Sequence, residues 1–417
     1  MARHCGLDFG TSNSTLATVR DGRPRLLALE DGRPTIPSAI FFRFEDGQPV
    51  FGRAAIAEYV GGTDGRMMRS LKSVLGSALF AERTRIGRKL LPFGDILGTF
   101  VGHLKTRAET EAGAGLDSVV AGRPVRFVDD DDAADAAAEA QLVAAVKSVG
   151  FAHVETQFEP IAAALDYELT LSEERLALVA DLGGGTSDFT VIRLSPERSR
   201  AGDRKADILS TAGVHVGGTD FDRRLALTMV MPHLGQGTPT ADGKRLLPQG
   251  PYYDLSTWHR INRLYTREAL SELRQTWREA AIPEPVELMI AIIEDRQGHN
   301  LLGAVEEAKI ALSDESATAF RFPVRERAVA DTFSRGDFDA AISEQVQRIG
   351  TTMDETLRRA GVAASAIDTL ILTGGSAKVP RIEALFAARF PQTEIARTDP
   401  FGSVGLGLAI EAGRRFA

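Results

Sequence analysis

Val179-Ala180-Asp181-Leu182-Gly183-Gly184-Gly185-Thr186-Ser187-Asp188-Phe189-Thr190-Val191 is the stretch on which the reading of this 417-residue chain turns. An apolar strand runs into an aspartate, three glycines and a threonine, and a second apolar strand follows. That order predicts a β-hairpin with a functional tip. The glycines permit positive φ and bring backbone N–H groups close to an anion, and Thr186 adds a hydroxyl donor. Asp181, at its strand end, is suited to hold a hydrated Mg²⁺ beside a phosphate. For one such loop, a plain glycine-rich turn with a capping aspartate explains the residues equally well.

The motif occurs twice. Gly6-Leu7-Asp8-Phe9-Gly10-Thr11-Ser12-Asn13-Ser14-Thr15-Leu16 follows the same plan with fewer glycines. With Asp8 set on Asp181, Thr11 falls on Thr186, Ser12 on Ser187 and Asn13 on Asp188. A repeat at this separation predicts two similar lobes, each offering an Asp-Gly-Thr hairpin to one shared phosphate chain.

The length predicts two or more domains, and 43% hydrophobic with 25% charged residues is an ordinary globular composition. A net charge of -8 with scattered basic residues argues against nucleic acid or an acidic membrane as partner. Cys5 is the only cysteine, which excludes an internal disulfide and a cysteine metal site and fits a cytoplasmic location. Met1-Ala2-Arg3-His4 enters the first strand without an apolar leader, and no run is long enough for a membrane span. A soluble, intracellular protein is expected.

Further along, Leu26 to Leu29 reads as a short strand, Ala39 to Phe44 as another, and Phe51 to Ala57 as the start of a helix. Lys72, among apolar residues before Gly76, reads on its own as a solvated helix lysine. Asp129 to Asp132 reads as the acidic start of a helix beginning near Ala133, not as a metal site. Glu159 stands at a strand-to-helix junction with Pro160 in the first turn, a place for a site residue or a dipole-favoured carboxylate. Gly217 and Gly218 feed another helix N-terminus suited to anions. The aromatic cluster of Tyr252, Tyr253, Trp258, Tyr265 and Trp277 is expected to be local core. Glu306 and Lys309 share a helix face as a solvated ion pair. A helix is expected from Phe338 to Ala360, then a buried strand at Asp368 to Leu372, a third glycine-rich turn at Gly374-Gly375-Ser376-Ala377-Lys378, and a last helix from Gly402 to Phe416.

Taken together these motifs resemble the actin-like ATPase superfamily, and within it the DnaK or seventy-kilodalton heat-shock chaperone family. Asp8 to Ser14 and Asp181 to Asp188 resemble its two phosphate loops. Phe158 to Ala164 resembles its Glu-Pro-x-Ala-Ala-Ala element, and Gly217 to Asp222 its Gly-Gly-x-Asp-Phe-Asp helix start. Glu306 to Ser313 is similar to its adenosine helix, and Gly374 to Pro380 to its adenine-side turn. The resemblance implies an α/β protein of the actin-like ATPase fold, with two ribonuclease-H-like lobes and inserted subdomains around a central nucleotide cleft. Lobe I would cover residues 1–173 with an insert at about 33–93, lobe II residues 174–398 with an insert at about 227–344, and a C-terminal helix at 399–417 would return to lobe I.

Site roles are implied in the same way. Asp8 and Asp181 would hold Mg²⁺ through water, while Gly10, Thr11, Ser12, Asn13, Gly183, Gly184, Gly185 and Thr186 would bind the phosphates of ATP or ADP. Gly217, Gly218, Glu306, Lys309, Gly374, Gly375, Ser376 and Lys378 would line the nucleotide site. Lys72 would reach the γ-phosphate and Glu159 would position the attacking water, with Asp181 and Thr186 completing the catalytic set.

The chain departs from the family at Ile310, where a basic residue is usual, and at Lys378, where an arginine packs on adenine; an ammonium stacks less well than a guanidinium. The turn Asp399-Pro400-Phe401-Gly402-Ser403-Val404 lacks the acidic residue that follows the family's Asn-Pro. The sequence stops at Ala417, before any peptide-binding domain, so it looks most like stand-alone, truncated DnaK relatives of the YegD type. The expected function is a slowly hydrolysing MgATP switch, with a protein partner or co-chaperone. A filament-forming or adaptor protein and a small-molecule kinase are the alternatives. P-loop chemistry is excluded, because no Gly-x-x-x-x-Gly-Lys-Ser/Thr run exists.

Overall fold

The computed structural model describes residues 3–87, 89–200, 205–397, 399 and 402–416. The turn residues Pro400 and Phe401 lie outside the described residues. The chain forms two compact units. One comprises Met1–Gly218, Arg348–Lys378 and Ile382–Ala417, and the other Thr219–Gln347 with Val379–Arg381.

Two sheets of one topology build the first unit. Strands β1 (His4–Phe9), β2 (Asn13–Arg20), β3 (Arg23–Leu26), β4 (Ser118–Arg123) and β5 (His153–Phe158) lie in the order β5-β4-β1-β2-β3. The strands β6 (Arg175–Leu182), β7 (Ser187–Leu194), β8 (Ile208–Val214), β9 (Thr369–Thr373) and β10 (Glu394–Arg397) lie in the order β8-β7-β6-β9-β10. In each sheet the first three strands form an antiparallel meander and the last two add parallel to the first. The two hairpins read from the sequence are therefore equivalent pieces of equivalent sheets. Asp8 is the penultimate residue of β1 and faces Thr15; Asp181 is the penultimate residue of β6 and faces Asp188.

Apolar alternation makes the sheets two-faced. Cys5, Leu7, Phe9 and Leu16 pack with Ile96, Phe100 and Leu104 of the helix Phe93–Ala112 and Leu142 and Val146 of the helix Asp132–Ser148. A second core joins Val120 of β4, Val179 of β6 and Ile371 of β9 to Ala162, Ala163 and Ala164 of the helix Glu159–Glu168 and to Leu408 and Ala412 of the helix Ser403–Phe416. Small residues let these two helices touch, and a Cβ on Gly407 would collide with the backbone of Ala162. Between β3 and β4 lies a small sheet of Ala39–Arg43, Pro49–Phe51 and Gly65–Arg69 with the helix Gly52–Val60, followed by the hairpin Arg83–Ile86 and Lys89–Pro92.

The second unit is mainly helical around the hairpin Ala317–Val324 and Arg327–Ser334. Tyr252 and Trp258 are buried there as expected, whereas Tyr253 and Trp277 are 38% and 39% exposed, so the aromatic cluster is only partly core. Tyr253 instead lies under the guanidinium groups of Arg223 and Arg260.

Two elements depart from the sequence expectation by more than a residue or so at a boundary. The strand placed at Leu26 to Leu29 is Arg23–Leu26; after Leu27 N–H donates to Leu16 C=O at 2.8 Å, the chain turns through Asp31 and Gly32, both left-handed. The helix placed at Phe338 to Ala360 is two helices, Arg335–Ala341 and Ser343–Ala360, and the first begins where the Ser334 hydroxyl accepts from Asp337 N–H at 3.1 Å. Among the described residues no helix is long and apolar enough to cross a membrane.

Candidate functional site

The tips of the two hairpins meet. A Cβ on Gly185 would sit 2.7 Å from Thr11 Oγ1, and one on Gly184 would collide with Ser12 Oγ. A Cβ on Gly217 would sit 2.6 Å from the Gly184–Gly185 peptide, and one on Gly10 would collide with the Asn13 carbonyl. None of Gly10, Gly183, Gly184 and Gly185 is in the left-handed region, so the sequence-based reason for them is corrected: Gly10, Gly184 and Gly185 are glycines because there is no room, not because φ must be positive, while a Cβ on Gly183 would meet only the Thr186 carbonyl at 3.6 Å. Gly374 does need its backbone freedom, at φ 80°, and packs against the Leu182 carbonyl. Around the tip, the Ser376 hydroxyl and the Gly218 N–H donate to the Gly183 carbonyl at 2.9 and 3.0 Å. Ser38 supports the first hairpin, its hydroxyl donating to the Gly10 carbonyl at 2.7 Å and its N–H to the Ser12 carbonyl at 2.9 Å.

Lys72 is not a solvated helix lysine. It lies in a single 3₁₀ turn, Leu71–Val74, entered through Ser70 at φ 57°, and its Nζ forms a buried ion pair with Glu159 Oε1. The side chains of the pair are 7% and 9% exposed. Burial disfavours the ammonium, but Glu159 and Asp8 outweigh it and hold the Lys72 pKa above its ordinary value. Burial, then repulsion from Glu159, pushes the Asp8 and Asp181 carboxyls well above the usual range. The same causes bring Asp188 up to about 7, against hydrogen bonds from Thr186 and from Val125 N–H. Asp8, Glu159, Asp181 and Asp188 thus face a single ammonium, and each unneutralised charge in such a place is costly.

Beside this cluster is a small pocket, open to solvent, lined by Thr11, Lys72, Ser73, Pro124, Phe127, Gly185, Thr186 and His215. Hydroxyls, an ammonium and a glycine-walled cradle suit phosphate oxygens. The surplus of carboxyls would repel a phosphate that came alone, so the donor set fits a phosphate chain accompanied by a cation. Among the described residues no group of three or more His, Cys, Asp or Glu side chains could hold an ion directly.

Three residues were missed in the sequence. Asp188 could have been found, since it aligns with Asn13 in the hairpin repeat. Asp129 does not start the helix: Asp131 caps it, accepting from Ala134 N–H at 2.9 Å. Asp129 accepts from His215 N–H at 2.8 and 3.0 Å and from Arg348 at 3.0 Å, contacts no local pattern announces. That bond sets His215 at the pocket.

Glu306 and Lys309 belong to the second unit, Gly374, Gly375, Ser376 and Lys378 to the first. Lys309 Nζ pairs with the buried Asp222 at 2.7 Å, so its main partner is not the solvated Glu306 contact expected from spacing. Burial raises the Asp222 carboxyl to about 6 while Lys309 opposes the rise. Ile310 is 58% exposed, and Lys378 is exposed in the turn Gly375–Lys378.

Comparison with known proteins follows the same outline. A family model described as Hsp70 protein matches residues 80–234 and 289–414. A chaperone protein DnaK of Deinococcus deserti is 26% identical over 440 residues, covering 99% of this chain and 60% of its own. The chain thus spans 60% of the length of that relative.

Proposed function

The chain belongs to the Hsp70 family, and from that premise we propose that it is a module that binds MgATP between its hairpins and hydrolyses it slowly. Membership makes it an Hsp70-like nucleotide-binding ATPase module of the actin-like ATPase fold, with the mixed helix-and-sheet architecture of that class. The observation that carries the proposal is the meeting of the two Asp-Gly-Thr tips beside a buried lysine–glutamate pair.

In this reading Thr11, Ser12, Thr186 and the backbone N–H groups of Gly183 to Thr186 bind the phosphates. Mg²⁺, when bound, supplies charge neutralisation at the phosphates, with Asp8 and Asp181 holding its waters. Lys72 leaves part of its contact with Glu159 to meet the terminal phosphate, which frees Glu159 to orient the attacking water. Catalysis is positioning and electrostatics without a covalent intermediate. The two-lobe division at residue 173, the opening and closing of lobes with nucleotide state, the YegD-type kinship and a co-chaperone or other protein partner are parts of the same proposal. The exposed Ile310 and the ammonium at Lys378 support weaker discrimination for adenine than basic and guanidinium groups there would give.

The test is a thermal-shift titration with MgATP, MgADP and MgGTP on wild type and Asp181→Asn. Ligand at about a hundred times Kd stabilises by roughly 2.7 kcal/mol. Wild type is expected to shift and Asp181→Asn to need far more nucleotide, with hydrolysis lowered roughly a hundredfold or more. No shift with any nucleotide would sink the proposal.

A further inference from the structure

The turn His215–Val216–Gly217 is held at its backbone from several sides. His215 N–H donates to both carboxylate oxygens of Asp129, at 2.8 and 3.0 Å. The Val216 carbonyl accepts from the Ser187 hydroxyl at 2.7 Å, and Gly217 lies against the Gly184–Gly185 peptide. Such a turn has little freedom to move, and it sits directly on the second phosphate hairpin. Its one large polar side chain, the His215 imidazole, is exposed and has no hydrogen-bond partner among the described residues. Yet it lines the pocket that the buried Thr11 and Lys72 and the partly buried Thr186 also line.

The pocket therefore runs from buried phosphate-binding groups to an exposed imidazole. The group it would meet is the orthophosphate that the proposed hydrolysis leaves beside Thr11, Lys72 and Thr186. An imidazole can donate a hydrogen bond to a phosphate oxygen in either tautomer and more strongly as the cation. We infer that His215 closes the outer end of this pocket on orthophosphate and slows its departure after ATP is split. The inference rests on the function proposed above.

The experiment titrates inorganic phosphate into wild type, His215→Ala and His215→Lys, each saturated with MgADP, and reads affinity by thermal shift. A companion single-turnover reaction with MgATP compares cleavage, by quench, with phosphate release, by a fluorescent phosphate-binding protein. Loss of the imidazole is expected to weaken phosphate at least threefold, by more than it weakens MgADP, and to shorten the lag between cleavage and release. Lysine is expected to restore both, which a merely structural role would not allow. Equal phosphate affinity in all three proteins, with MgADP binding present, would overturn the inference while leaving the proposed function standing. Absence of any MgADP shift in wild type would overturn both.

Discussion

Asp166 sits half-buried near the end of the helix Glu159–Glu168, and burial, followed by repulsion from Asp399, pushes its carboxyl up to about 6 from 3.8. Because the folded-state pKa is the higher one, folding favours the protonated form. The contribution is complete below about pH 3.8 and is lost as the pH rises through about 6. Asp166→Asn, which mimics the protonated group, is therefore expected to gain stability at pH 8, by about 1–2 kcal/mol after allowing for solvent screening, and almost none at pH 3. Urea unfolding at the two values checks it, and an equal gain at both would refute the assignment. Lys72 teaches the same lesson from the other sign of charge. Nothing local marks Lys72 as buried, because its neutralising carboxylate lies 87 residues away in sequence.

Among the elements, the helix Ser403–Phe416 is closely constrained, since it packs on β1, β2 and the helix Glu159–Glu168. A Cβ at Gly407 meets backbone atoms of Ala162, which cannot swing aside, whereas one at Gly413 makes only ordinary contacts at 3.5 Å with His4 and Val19. Gly407→Ala is expected to cost about 1–3 kcal/mol or more, and Gly413→Ala to gain up to about 1 kcal/mol from helix propensity. Urea midpoints of the two variants should move in opposite directions; a common direction would show that packing does not govern this helix. The two hairpins, the helix beginning at Glu159 and the strand before Gly374 were legible because each joins a strong period to a turn signal. The break at Ile342, the shift of the strand to Arg23–Leu26 and the exposure of Trp277 were not, because tertiary neighbours decide them. The phosphate-side residues could be read from a motif that repeats. The role of Asp129 could not, since its partners lie 86 and 219 residues away.

On the scale of the whole first unit, one core takes residues from both sheets, with Leu408 and the alanines of the helix Glu159–Glu168 between Val120, Val179 and Ile371. Shared burial predicts shared cooperativity. Leu408→Ala is expected to cost about 2–5 kcal/mol. Hydrogen exchange should show protection falling in β4 and β6 together, and loss confined to one sheet would mean that the two unfold independently. The crowding of Asp8, Glu159, Asp181 and Asp188 around Lys72 has an effect at the same scale. A site whose burial raises the Asp8, Asp181 and Asp188 carboxyls above their usual range, the last to about 7, works as a proton reservoir, and a dication arriving with its nucleotide would displace the stored protons. Loading should therefore acidify the solution. Calorimetry at pH 7 in buffers of different ionisation heat is expected to find net proton release, smaller by up to about half a proton in Asp188→Asn, whose wild-type carboxyl titrates at about 7. Nucleotide would then be felt in the bulk as acid, and its uptake could be followed with nothing more than a pH-sensitive dye.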